Sequence, residues 1–173
     1  MCLRWLKIYT VVYILLCIGC ASVQRRLIYF PPSVIPEEVK QDAASQNLTR
    51  WTDADGQPIG WKRLSPVQPA QGQVLVTHGN ACCPFECSQF ADALQQVGAF
   101  DVYLVEYPGY ENRPGKPSEH SLYASADEAL RLLPTNQPTY LGGEARVMGA
   151  AMYLAGKHSN QVAAVVLLAP YNS

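Results

Sequence analysis

The sequence predicts an α/β fold, in which a mainly parallel β-sheet carries helices on both faces and begins with an antiparallel hairpin. Short β-rich runs, such as residues 73–77 and 163–168, alternate with segments whose apolar residues recur at helical spacing. These runs are almost continuously apolar, which is typical of parallel strands buried on both faces. An Asp-Gly pair at residues 55–56 separates two segments of alternating polarity, which indicates a hairpin.

The N-terminal residues have the pattern of an export signal. Arg4 and Lys7 precede an apolar run over residues 8–18, and small residues follow it. The run is shorter than the roughly 20 apolar residues of a membrane-spanning helix. Residues 16–20 resemble a bacterial lipobox, which predicts a lipoprotein with lipid on Cys20, and an uncleaved signal anchor is the alternative. Both versions predict an exported protein tethered to membrane lipid, on the periplasmic or extracellular face.

The remaining elements follow one another in short segments. A linker and lead-in over residues 21–46 separates the signal or anchor at 1–20 from an α/β domain at 47–173. Residues 31–46 and 65–73 carry proline and glutamine and predict loops. The predicted strands are 48–52, 58–64, 73–77, 102–107, 139–141 and 163–168. The predicted helices are 87–97, 121–133 and about 146–157.

Charge and cysteine spacing exclude two kinds of partner. With 173 residues and a formal net charge of -1, the chain has room for one domain and no charge excess that would attract nucleic acid. Cys82, Cys83 and Cys87 lie in the folded region. A disulfide between Cys87 and either Cys82 or Cys83, with one thiol left over, is an alternative that the sequence leaves open. Their spacing and the nearby His78 lack the paired Cys-x-x-Cys of zinc sites, so no metal and no cofactor is predicted.

Five motifs follow the predicted elements in a fixed order. They are residues 77–81 (Thr-His-Gly-Asn-Ala), 105–110 (Val-Glu-Tyr-Pro-Gly-Tyr), 115–119, 141–144 and 168–173. In order and spacing they resemble the α/β-hydrolase superfamily, most closely its HGN-type exported or membrane-tethered serine hydrolases. The resemblance runs from about residue 27 to 173. It implies esterase- or lipase-like ancestry, an acyl-ester or fatty-acid ligand, and a sheet truncated after its sixth strand.

The resemblance also implies an oxyanion hole. In acyl transfer a carbonyl oxygen gains charge, and two backbone N–H groups about 3 Å away stabilise it. Asn80 or Ala81 would supply one donor, because Gly79 allows the backbone to approach closely, with His78 completing the motif. Arg146, which follows the nucleophile position, would supply the other donor.

The nucleophile position itself departs from the superfamily pattern. Ala145 stands where a serine is expected, and alanine has no lone pair with which to attack. Val147 replaces a glycine of the tight strand-to-helix turn, whereas Gly143 and Gly149 remain. The acid and histidine of the superfamily normally follow later strands, which the sequence to Ser173 does not contain. The sequence therefore predicts a superfamily member that is inactive as written.

No other residue is expected to replace the missing serine. The cysteines at 82, 83 and 87 lie near the predicted oxyanion loop, but no base is positioned to activate a thiol there. The three histidines, His78, His120 and His158, are interpreted as structural or exposed.

Two alternative functions stay open. The first is a serine hydrolase that cleaves acyl esters and whose sequence is frameshifted and truncated. For suitably chosen codons, loss of one base would convert Glu-Ser-Pro-Gly-His into the Glu-Ala-Arg-Val-Met of residues 144–148, and a later insertion would restore the frame. The second is a tethered ligand-binding module without catalysis.

Overall fold

The computed structural model describes residues 2–32, 36–80, 82, 88–111, 113–144 and 148–168. The chain divides into two compact units, Met1–Phe30 and Pro31–Ser173. The first unit contains one long helix, α1 (Cys2–Ile28), whose described side chains are exposed, including Trp5, Tyr9 and Tyr13. Within the described residues, no helix combines the length and the apolar character needed to cross a membrane.

The second unit contains one six-stranded sheet with helices between the strands. The helices are α2 (Pro36–Ser45), α3 (Ser88–Val97), α4 (Glu119–Leu132) and α5 (Met148–Lys157). The strands are β1 (Thr49–Thr52), β2 (Pro58–Arg63), β3 (Gly72–Thr77), β4 (Phe100–Val105), β5 (Thr139–Glu144) and β6 (Val162–Leu168). Their order across the sheet is β1-β2-β4-β3-β5-β6. The pairs β1–β2 and β2–β4 are antiparallel and the other pairs are parallel, which confirms the predicted fold class.

The predicted N-terminal hairpin is confirmed. Asp53 organises its loop, because one carboxylate oxygen accepts hydrogen bonds from the main-chain N–H groups of Asp55 and Gln57. Gly56 has a φ of 79°, a left-handed conformation that glycine adopts without steric cost. The loop brings Trp51 and Trp61 into the buried part of β1 and β2.

The predicted loop over residues 31–46 is wrong for its second half, which forms α2. Proline suits the first helical position at Pro36, and acidic residues at Glu37 and Glu38 favour the positive end of the helix dipole. Val39 and Ala43 lie one turn apart and are buried in the core. Burial of this short stripe stabilises a helix whose composition is otherwise polar. The predicted loop over residues 65–73 is confirmed up to its last two residues, which begin β3.

The two faces of the sheet carry different helices. Val74 and Val76 of β3 belong to the same buried cluster as α2 and Ala91 of α3. On the opposite face, α4 and α5 pack against each other and against the central strands. Strand β3 is buried along its whole length, so it forms the centre of the core.

Candidate functional site

The strand order places one crevice at the carboxyl edge of the sheet. Strand β4 lies on one side of β3 and β5 lies on the other, so the chain reverses its direction of winding at β3. The connections that leave β3 and β5 lead to α3 and α5, which cover opposite faces. In open α/β sheets, ligands bind where such neighbouring connections diverge. The carboxyl ends of β3 and β5 therefore border the candidate site.

His78 fixes the backbone of the loop after β3. Its side chain is fully buried, and its Nδ1 lies 2.8 Å from the main-chain oxygen of Gly79. Because that oxygen only accepts, Nδ1 carries the proton and donates it. The rings of Tyr107 and Tyr110 enclose the imidazole, with centroids 4.5 and 5.7 Å away. His78 is thus a buried residue in contact with the backbone of its own loop.

Tyr110 holds Asn80 from the neighbouring turn after β4. Its hydroxyl oxygen lies 2.6 Å from Asn80 Oδ1 and 2.8 Å from the main-chain oxygen of the same residue. The turn requires a glycine at Gly109, where φ is 85° and an added Cβ would lie 2.7 Å from Pro117 Cδ. The loop that carries the predicted oxyanion donor Asn80 is thus fixed through its side chain and its backbone.

The side chains of two glutamates that follow β4 are buried, and one of them, Glu106, lies beside His78. Oε1 of Glu106 is 3.5 Å from His78 Nε2. Glu111 accepts hydrogen bonds at Oε2 from Arg50 Nη1 (2.9 Å) and Trp61 Nε1 (3.1 Å). Burial and, to a smaller extent, the Glu111 carboxyl together raise the pKa of Glu106 to about 7, against the lowering effect of His78. The sequence analysis missed this pair. A charged residue directly after a buried strand, as Glu106 is, was the available signal.

On the β5 side of the crevice, small residues let the strand and the helix approach. A Cβ added at Gly143 would lie 3.1 Å from Ala151 Cβ, and one added at Gly149 would lie 3.0 Å from Tyr123 Oη. Gly143 therefore allows close packing of β5 on α5, and Gly149 allows close packing of α5 on α4. An apolar cavity of about 330 Å³ extends from Gly143 along the sheet to α3.

Several predicted site residues lie outside the described residues. They are Ala81, Cys83, Cys87, Ala145, Arg146 and Val147. Their assignments, including the nucleophile position and two of the oxyanion donors, stay predictions. Lipid attachment at Cys20, which lies exposed in α1, also stays a prediction.

The other two histidines lie apart from the crevice. His120 is exposed in the first turn of α4. His158 follows α5, and its Nε2 lies 2.6 Å from Oδ1 of Asp127 in α4. This agrees with their interpretation as exposed or structural residues.

Comparison with known proteins agrees with this geometry. An uncharacterised protein of Mycobacterium tuberculosis H37Rv is 32% identical over 157 residues, which cover 88% of this chain and 55% of that protein. The α/β hydrolase domain-containing protein 17B of Xenopus tropicalis is 29% identical over 139 residues, 78% of this chain and 47% of that protein. A solved membrane phospholipase A, described as a bacterial virulence factor, superposes with a TM-score of 0.58 at 15% identity, over 95% of this chain and 51% of its own. The chain has the α/β-hydrolase fold.

A second solved structure has the same fold. A candidate lipase of Acinetobacter baumannii AYE matches this chain with a TM-score of 0.55 and 16% identity, over 79% of this chain and 46% of its own. Both structural matches show the fold alone. No protein-family model matches the sequence. The chain spans about half the length of the curated relatives that it matches.

Proposed function

We propose that this α/β-hydrolase, of esterase- or lipase-like ancestry, binds an acyl ester or fatty acid at the β3–β5 crevice without hydrolysing it. The observation that carries the proposal is the contrast between the two sides of the crevice. The loop after β3 is held by His78 and Tyr110 as a carbonyl-binding loop must be. The position after β5, where the superfamily places its nucleophile, is Ala145.

The chemistry of each side supports binding over turnover. A fixed loop keeps backbone N–H groups pointed at a carbonyl oxygen, and these donors need no particular side chain. An ester bound there has no hydroxyl beside it at Ala145 to form an acyl intermediate. The apolar cavity beside Gly143 offers space for an acyl chain.

A fluorophosphonate probe tests the absence of catalysis. It labels serines that an active site has made nucleophilic, so the native chain is expected to stay unlabelled beside an active serine hydrolase as positive control. Reproducible labelling of the native chain would contradict the proposal.

Equilibrium binding of a fluorescent ester tests the ligand. Saturable binding without release of the product is expected. Ala93 lines the apolar cavity, so Ala93→Phe should fill it and weaken binding. Ala124→Phe places the same bulk at an exposed position of α4 and serves as the matched control. If both variants bind the ester with the affinity of the native chain, the ester does not occupy the cavity.

The serine hydrolase alternative is favoured by the glycines that flank the nucleophile position, Gly143 and Gly149. It predicts that resequencing of the locus restores serine at codon 145 and glycine at codon 147. Confirmation of the alanine codon would eliminate it.

We also propose that the N-terminus tethers the protein to membrane lipid through Cys20. The exposed aromatic and aliphatic side chains of α1 and the lipobox-like residues 16–20 support this proposal. Metabolic labelling with a radioactive fatty acid should mark the native protein and the Cys17→Ser control but not Cys20→Ser. Label retained in Cys20→Ser, or absent from the native protein, would contradict the lipoprotein version.

A further inference from the structure

The turn after β4 carries Glu111 in a strained backbone conformation. Its φ of 46° lies in the left-handed region, which most residues other than glycine and asparagine rarely adopt. The side chain is only 1% exposed, so Glu111 is not a free surface position. A strained residue persists where the surrounding structure fixes it, and such residues are frequent at functional sites. The contacts of Glu111 therefore indicate what the strained conformation achieves.

The carboxylate of Glu111 is held by a cross-strand pair of the N-terminal hairpin. Arg50 of β1 and Trp61 of β2 lie opposite each other in the antiparallel register. Both donate to the same oxygen, Oε2, from Arg50 Nη1 at 2.9 Å and from Trp61 Nε1 at 3.1 Å. The guanidinium carbon of Arg50 also lies 4.4 Å from the centroid of the Trp61 ring, a cation–π contact that keeps the two donors together. The hairpin thus presents a preformed binding position for one carboxylate.

The preceding residue, Tyr110, contacts the loop after β3. Its ring is buried, and its hydroxyl oxygen lies within 2.8 Å of both oxygen atoms of Asn80. The main-chain N–H of Tyr110 donates to the main-chain oxygen of Tyr107 at 3.0 Å, which closes the turn. Two consecutive residues of one tight turn therefore reach two different parts of the fold. The left-handed conformation of Glu111 allows both contacts at once.

A second set of contacts attaches the same turn to the rest of the fold. The guanidinium of Arg113 donates to the main-chain oxygen of Glu106 and pairs with Glu128 of α4. These contacts connect the turn to the end of β4 and to α4, and they do not involve Glu111. Loss of the Glu111 carboxylate is therefore expected to displace Tyr110 and Asn80 rather than to detach the turn.

We propose that Glu111 is a positioning residue for the loop after β3. The hairpin holds Glu111, Glu111 fixes Tyr110, and Tyr110 keeps Asn80 in place at the crevice. The consequence for ligand binding rests on the proposed function, because that function assigns the ligand carbonyl to this loop. Binding at the crevice is thereby coupled to the N-terminal hairpin through Arg50 and Trp61.

Three variants of Glu111 separate positioning from stability. Glu111→Gln supplies one amide oxygen, which can accept both donors that now bind Oε2, so it should bind a fluorescent ester within about twofold of the native affinity. Glu111→Ala removes the acceptor and should weaken ester binding by at least about fivefold, the equivalent of one hydrogen bond. Glu111→Gly also removes the acceptor but adopts a positive φ without steric cost, so it should be more stable in urea than Glu111→Ala and bind the ester no better. Native affinity in Glu111→Ala or Glu111→Gly would overturn the proposal.

Asp127→Asn is the control for stability. It removes a largely buried carboxylate of α4 whose donors are Arg131, Lys157 and His158. It should therefore lower the free energy of unfolding without changing the ester affinity. A loss of affinity as large as that of Glu111→Ala would count against positioning, because any loss of stability would then weaken binding.

Nuclear magnetic resonance of the chain without ligand tests the position of Asn80 separately. The side-chain amide signals of Asn80 should shift in Glu111→Ala and Glu111→Gly and stay unchanged in Glu111→Gln and Asp127→Asn. Arg50→Gln removes the charged donor at a partly exposed position and should shift the same signals, which keeps the test available if the Glu111 variants do not fold. If the native chain binds no ester, the proposed function fails while these signals still decide the positioning role. Unchanged Asn80 signals in every folded variant that lacks the contact would refute that role.

Discussion

Replacement of Asp127 by asparagine removes the charge that ties α4 to the end of α5. The carboxylate of Asp127 is largely buried and accepts hydrogen bonds from Lys157 (2.9 Å), His158 (2.6 Å) and Arg131 (2.7 Å). Burial alone raises the pKa of Asp127, but these three donors together lower it to about 2, from an ordinary value of 3.8. The charged form is therefore stabilised in the folded state.

The size of the effect follows from that change in pKa. A fall from 3.8 to about 2 corresponds to about 2 kcal/mol of folding free energy. Lys157 and Arg131 are half-exposed, and solvent screens their attraction, so a loss of about 1–2 kcal/mol is expected for Asp127→Asn at pH 7. Because the folded pKa lies below the unfolded one, this contribution is fully present above pH 3.8 and disappears as the pH falls toward 2.

Urea unfolding followed by tryptophan fluorescence measures this difference, since Trp51 and Trp61 are buried in the sheet. Glu37→Gln is the control, because Glu37 forms an exposed ion pair with Lys40 and should lose less than about 1 kcal/mol. An unchanged stability of Asp127→Asn at pH 7, or a loss equally large at pH 2.5, would refute the reasoning.

Three further substitutions have expected outcomes. Ser118→Ala removes the N-cap of α4 and should lower the free energy of unfolding in urea by about 1 kcal/mol, whereas Ser118→Asp should retain it. Gly60→Ala places a Cβ 2.0 Å from the main-chain oxygen of Leu104 and should cost at least about 3 kcal/mol, visible as loss of soluble folded protein. Tyr110→Phe removes the hydroxyl bound to Asn80 and should cost about 1 kcal/mol in urea and weaken ester binding, so an unchanged affinity would argue against a ligand role for that loop.

The order of elements could be predicted from the sequence because local signals specify it. Alternation of apolar runs with helical spacing identified β3, α3, β4, α4 and β5, with boundaries that differ from the structure by a few residues. Helix α2 was missed because only two of its residues, Val39 and Ala43, are buried in the core. Two apolar residues do not distinguish a helix from a polar loop in the sequence alone. The helix forms because the sheet provides a surface on which these two residues are buried.

The candidate site could be predicted only where it depends on consecutive residues. The segment from Thr77 to Asn80 carries its own motif and lies at the expected end of a strand. The pairing of Arg50 with Glu111 spans 61 positions and exists because β1, β2 and β4 are neighbours in the sheet. No local pattern encodes that neighbourhood, so the burial of Glu111 could not be predicted from the sequence.

Buried polar residues at the candidate site need a reason beyond stability. Buried ionisable groups are weak sources of stability, and apolar side chains of similar volume often serve a core as well or better. Glu106 and His78 are nevertheless both buried where β3 and β4 end, with Oε1 of Glu106 3.5 Å from His78 Nε2, while the rest of β3 and β4 is largely apolar. Departures from the rules of core composition are expected at functional sites. These buried polar groups therefore agree with a functional role of the crevice at this edge of the sheet.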